Sequence, residues 1–270
     1  MLYRMIAVMA ASLMLTSCFL SPGKFESEMV VNKSGEFTFT YKGEIWVLGL
    51  SSLMGIGQAV SEADFTAECF DDDSGEERAC TLEEAEEQLA SKKAEDAKTA
   101  EAFKALLGGL DPNDPQTIDM FIARVERQKG WNSLVHKGEG IFDVDFSLTA
   151  PLSHDFQFPI IEKVASFTPF VSMIVRKDNK VRVSAPGFAQ DDSSNSLAGL
   201  GALAGTGAPA GGGIPKFVTP NGTFTIRTDG AILTNNTEEG AITADNGQKQ
   251  LVWTITSATK EPPQALISLD

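Results

Sequence analysis

Residues 26–41 read Glu26-Ser-Glu-Met-Val-Val-Asn-Lys-Ser-Gly-Glu-Phe-Thr-Phe-Thr-Tyr41, and this stretch decides the fold. Phe37, Phe39 and Tyr41 alternate with Glu36, Thr38 and Thr40, the period of two that sends one set of side chains into a core and the other into water. Asn32-Lys33-Ser34-Gly35 is a cluster of turn formers between the two runs. Residues 26–31 and 36–41 are therefore expected to form an antiparallel hairpin with one wet and one buried face.

The same period recurs downstream. Phe142, Val144, Phe146 and Leu148 alternate with Asp143, Asp145 and Ser147, after a shorter run at 132–136. Residues 170–176 and 180–184 flank Lys177-Asp178-Asn179. Residues 217–228, 231–234 and 250–256 follow, with Asp229-Gly230 and Asn246-Gly247 as turns, and 265–269 form a short last strand beyond Pro262-Pro263. Residues 44–60 are apolar and glycine-dotted, and fit helix or strand equally well.

Two segments carry helical signals instead. Thr81 and Glu84 have the spacing of a capping box, in which each side chain reaches the other's backbone N–H. The helix opened there runs to about 107 and stops at Gly108-Gly109. Its apolar stripe is mostly alanine, with Leu82, Leu89, Phe103, Leu106 and Leu107 the larger members, so it buries little. Asp114-Pro115 starts a second helix to about 129, with Ile118, Phe121, Ile122 and Val125 on one face and Gly130 as terminator. The expected fold class is α+β: an antiparallel sheet with two main helices, about 81–107 and 115–129, packed on or beside it. Residues 25–270 are read as one domain with a charged helical insertion at about 62–110. A glycine- and alanine-rich segment, 191–213, is read as a flexible loop.

The chain has 270 residues and is strongly acidic, with 37 Asp and Glu against 22 Lys and Arg and a net charge of −15. Such a surface repels nucleic acid and anionic headgroups, and nucleic acid is excluded as a partner.

The first residues supply a destination. Arg4 precedes a short apolar run, Met5 to Leu15, which falls short of the roughly 20 residues needed to span a bilayer. The run ends in Leu15-Thr16-Ser17-Cys18. This resembles the lipobox of bacterial lipoproteins, and the resemblance implies cleavage after residue 17 and diacylglycerol on Cys18. Residues 1–17 are then a signal peptide and 18–24 a short lipidated tether. Cleavage removes Arg4 and no acid, leaving a mature charge near −16. In that family an aspartate after the cysteine often retains the protein at the inner membrane. Phe19 stands here instead, implying the periplasmic face of the outer membrane in a Gram-negative cell.

The segment Gly222-Thr-Phe-Thr-Ile-Arg227, then Ala231-Ile-Leu-Thr-Asn-Asn236, then Leu251-Val-Trp-Thr-Ile255, resembles the end of the LppM-type domain of bacterial envelope lipoproteins. There, strand, turn, strand and a tryptophan strand close an antiparallel sheet, and a hairpin like residues 25–41 follows the lipid cysteine. The resemblance implies an α+β domain that contacts lipid or an envelope partner.

Chemistry-bearing residues are few. Once Cys18 is acylated, Cys69 and Cys80 are the remaining thiols, and export favours a disulfide between them over two separate thiols. Asp71, Asp72 and Asp73 invite a calcium reading, but the EF-hand spacing puts Gly75 at position five, Glu76 at six and Leu82 at twelve, so a solvated acidic loop is preferred. His136 and His154 have no ligand partner at helical spacing. No catalytic, cofactor-binding or metal residues are assigned and no cofactor is expected. The leading expectation is a non-enzymatic module that binds an envelope protein or an apolar ligand; the alternative is an envelope enzyme using the dispersed carboxylates Glu139, Asp143 and Asp145.

Overall fold

The structure is a computed structural model that describes residues 20–47, 65–71, 75–106, 108–109, 116–164, 168–189, 219–244 and 246–270. In chain order the elements are β1 (Leu20–Val31), β2 (Glu36–Val47), β3 (Cys69–Phe70), β4 (Glu77–Arg78), α1 (Leu82–Leu106), α2 (Thr117–Val125), β5 (Trp131–Gly138) and β6 (Ile141–Pro151). They continue with β7 (Phe156–Phe158), β8 (Val171–Val175), β9 (Lys180–Ser184), β10 (Asn221–Thr228), β11 (Ala231–Asn235), β12 (Ile242–Thr243), β13 (Lys249–Ile255) and β14 (Gln264–Ser268). The chain is thus mixed α+β and dominated by strands. No helix among the described residues is long and apolar enough to cross a membrane.

Contacts divide the chain into two compact units. The larger comprises residues 1–49, 124–161 and 166–270. Its first sheet has seven strands in the order β12-β13-β10-β1-β2-β6-β5, and its second has five in the order β11-β14-β9-β8-β7. The inner faces meet as a sandwich filled with aromatic rings. Phe156 of the second sheet lies 5.1 Å from Phe37 and 5.2 Å from Phe39 of the first, centroid to centroid. Phe158 lies 5.0 Å from Tyr41 and 4.8 Å from Phe146. Phe188, in a short 3-10 turn after β9, stacks on Phe25 at 4.2 Å.

The hairpin expected at 26–41 is present and longer than its signal. Val31 pairs with Phe37, and the ladder continues to Leu20 opposite Val47. Residues 18–24, expected as a tether, are therefore strand from Leu20 onward, and Leu20 is buried. Pro22 and Gly23 produce a register shift in the ladder, an irregularity a tight backbone neighbourhood accommodates. At that shift Gly43 has φ +142, and a Cβ there would lie 2.2 Å from the Lys24 carbonyl oxygen; a Cβ at Gly222, on the other side, would lie 1.9 Å from the Phe25 carbonyl oxygen. Both positions need glycine for close approach.

Two expectations about the sheet are corrected. First, a single antiparallel sheet was expected, whereas two sheets form and the larger is mixed, because β10 runs parallel to β1, Lys24 opposite Asn221. The reason is topological: Phe188, which follows β9, packs on Phe25, and β10 starts beside Lys24 and runs in the direction of β1. Second, the strand after Asp229-Gly230 does not fold back on β10. Both edges of β10 are already occupied, by β1 and β13, so β11 crosses to the second sheet and pairs with β14. The Lys177-Asp178-Asn179 hairpin forms as expected, with Asn179 at φ 48. Asn246-Gly247 closes the β12–β13 hairpin, with Gly247 at φ 81.

The smaller unit comprises residues 50–123 and 162–165. It holds α1 and the two-stranded sheet β3-β4. No described side chain of α1 is buried, in keeping with its alanine stripe; Leu82, expected on that stripe, is 86% exposed. Helix α2 spans the boundary between the units and ends at Val125, four residues short of expectation, with turns from 126 to 130. Thr117, Phe121 and Val125 are its buried positions, the spacing of one helical face. Residues 1–19, 48–64, 110–115 and 190–218 lie outside the described residues, and with them the signal peptide, Cys18, the Asp114-Pro115 helix start and the 191–213 loop.

Candidate functional site

The outer face of the seven-stranded sheet collects the polar halves of the alternating strands. Lys42 opposes Asp145 and Glu44 opposes Asp143 across β2 and β6. Lys42 Nζ lies 3.3 Å from Asp145 Oδ2, and the Asn132 amide donates to Asp145 Oδ1 at 3.0 Å. That amide and the lysine hold the Asp145 carboxyl below the usual range, the amide having the larger effect. Lys137 lies 3.5 Å from Asp143. Glu139 sits in the β5–β6 turn at φ 51. The three dispersed carboxylates are thus not brought together: Asp143 and Asp145 answer different lysines, and Asp145 is biased toward the ionised form. A general acid needs the opposite bias.

Farther along this face Thr38 and Thr149 share a hydrogen bond of 2.8 Å between hydroxyls. Arg227 Nε lies 2.7 Å from Glu28 Oε1, linking β10 to β1. That last pair joins residues about 200 apart in sequence, and no local pattern announces it.

The histidines are also separated. His136 lies 4.9 Å from the Phe142 ring, its Nε2 is buried without a hydrogen-bond partner among the described residues, and burial lowers its pKa. His154 sits in the turn after β6, where Nδ1 shares a 2.8 Å hydrogen bond with the Ser153 hydroxyl. Among the described residues no group of three or more His, Cys, Asp and Glu is placed to hold a metal ion. Of the acidic run at 71–77, residues 72–74 lie outside the described residues. Asp71 donates its N–H to the Glu76 carbonyl, and Gly75 donates to the Asp71 carbonyl.

Cys69 and Cys80 are bridged, with Cα atoms 5.3 Å apart, inside the range a disulfide requires. The bridge closes the β3–β4 hairpin on the first turn of α1. There the capping box forms as its spacing predicts: the Thr81 N–H donates to Glu84 Oε2 at 2.9 Å, and the Glu84 N–H donates to Thr81 Oγ1 at 3.3 Å. Sequence reasoning missed Arg78, whose guanidinium donates to both Glu84 oxygens at 2.9 and 2.5 Å. With Thr81 it pulls the Glu84 pKa down to about 2, the arginine contributing most. Gln88 completes the cluster by donating to the Glu68 carbonyl at 2.9 Å.

The described residues thus define an α+β protein built on a two-sheet, aromatic-cored sandwich, with a disulfide-closed helical unit beside it in the chain. In comparisons with known proteins, no family model, no curated protein and no solved structure matches this chain.

Proposed function

We propose that this chain is an exported lipoprotein, attached to a membrane of the cell envelope through lipid on Cys18, whose folded part is a non-enzymatic binding module. The observation that carries the reading is the Cys69–Cys80 bridge. Disulfides persist in oxidising compartments such as the periplasm and are rare in the cytosol, and the apolar run ending in Leu15-Thr16-Ser17-Cys18 supplies a route to such a compartment. In a Gram-negative cell the destination is the periplasmic face of the outer membrane, because Phe19 is not the retaining aspartate. The β1–β2 hairpin and the pairing of β10 with the tryptophan strand β13 fit the LppM-type likeness, whereas β11, which that likeness puts in the same sheet, pairs with β14 in the second.

The partner is an envelope protein engaged on the outer surface rather than an apolar ligand held between the sheets. The space between the sheets is taken by aromatic rings: Phe158 lies 5.1 Å from Phe39, 5.0 Å from Tyr41 and 4.8 Å from Phe146, centroid to centroid. Lipid attachment contributes about 0.8 kcal/mol per buried methylene, so several acyl chains hold the acidic protein at a membrane that its own charge does not favour. Replacing Cys18 tests the reading: Cys18→Ser is expected in the soluble fraction or as an uncleaved precursor, and recovery of that variant in the membrane fraction with lipid attached overturns it.

A further inference from the structure

We infer that the sandwich stands end-on against the bilayer, with the end that carries Leu20, Val47 and the 138–140 turn as its membrane-apposed surface and a phospholipid headgroup layer as its partner. The inference rests on the lipid-anchor reading and adds to it an orientation. It starts from β1 beginning at Leu20, which is 4% exposed and paired with Val47. One residue, Phe19, separates Leu20 from Cys18. At no more than about 3.6 Å per residue, the Cα of Cys18 lies within roughly 7 Å of the Cα of Leu20. A lipoprotein with a long linker can tumble freely above its membrane; with a single intervening residue the sheet itself is held at the surface.

The end so held is built from several strands. The Val47 N–H donates to the Gly140 carbonyl at 2.8 Å, tying the end of β2 to the β5–β6 turn. The start of β10 lies at the level of Lys24, and the end of β13 pairs beside it, Ile255 opposite Gly222. The opposite end carries the 32–35 turn. It lies the length of β1 away, 12 residues at about 3.3 Å each, or roughly 40 Å.

The test uses the full lipidated protein in vesicles of phosphatidylethanolamine and phosphatidylglycerol, with a fluorophore on a single introduced cysteine and an acceptor dye on the headgroups. The label sits at Glu139→Cys in one preparation and at Ser34→Cys in another; Cys69 and Cys80 are bridged and do not react. Energy transfer to the headgroups is expected to be several-fold stronger from position 139. A flexible Gly/Ser linker of about 20 residues inserted between Phe19 and Leu20 should abolish that difference while leaving the protein on the vesicles. Protein that floats with the vesicles but transfers equally from both positions, or more strongly from position 34, overturns the orientation alone. Protein that fails to float overturns the anchor reading, and the orientation with it.

Discussion

A methyl group at position 43 would sit 2.2 Å from the Lys24 carbonyl oxygen, on a backbone whose φ of +142 few side chains adopt. Gly43→Ala is therefore expected to lower stability by at least about 2 kcal/mol, since both the clash and the conformation oppose it. Thermal unfolding of the variant beside Gly35→Ala checks this; a Cβ at Gly35, φ +84, meets nothing within 4 Å, so that variant isolates the conformational part. Glu84 gives a second residue-scale prediction. Its pKa is pulled down to about 2 by Arg78 and Thr81, from an ordinary value of 4.5. A depressed carboxyl favours the folded state above its unfolded pKa and loses that effect as pH falls toward its folded one. The Arg78–Glu84–Thr81 cluster should thus hold the first turn of α1 at pH 5 and above, and release it between about pH 4.5 and 2. Carboxyl NMR of Glu84 is expected to show a midpoint near 2, moving up toward the ordinary range in Arg78→Ala; an unmoved midpoint contradicts the assigned cause.

Elements were legible where their signals are local. The 26–41 hairpin, the 177–179 turn and the Thr81–Glu84 box were readable because alternation, turn residues and caps depend on neighbours a few residues away. Strand partners were not. Nothing in residues 221–228 says that β10 lies parallel to β1, because that pairing is made by the path of the chain between them, and period-two alternation is the same for parallel and antiparallel neighbours. The tether reading of Ser21-Pro22-Gly23 failed for a related reason. Proline and glycine usually interrupt a strand, but here they sit at a register shift between the Pro22–Ile45 and Phe25–Gly43 pairs, where the ladder absorbs them. At the same scale, the disulfide is expected to hold the β3–β4 hairpin and the start of α1 without supporting the sandwich. Closing a loop with a sequence separation of 11 contributes roughly 3 kcal/mol in the chain-entropy account. Replacing both Cys69 and Cys80 by Ser should speed amide exchange in residues 65–90 and leave β1, β2 and β6 protected. Faster exchange throughout the sandwich contradicts this separation.

For the whole molecule, the site calls for a different kind of reading than the fold. The aromatic core explains why the sandwich holds together, and the lysine–carboxylate pairs on the outer sheet face explain how an acidic surface is kept compatible with its fold, but neither is chemistry aimed at a substrate. The candidate residues Glu139, Asp143, Asp145, His136 and His154 could be singled out in the sequence by type alone. His136 is set apart by the β5–β6 register, which pairs it with Phe142 and so places it on the face opposite Asp143 and Asp145; His154 lies beyond β6, in the turn that follows it. What organises the proposed role is Cys18, joined to the sheet through the single residue Phe19. The most direct measurement is mass spectrometry of the N-terminal peptide released from the membrane fraction of cells that make the protein. The account predicts a peptide that begins at Cys18 and carries acyl chains; a mature N-terminus at any other residue, or an unmodified Cys18, would contradict it.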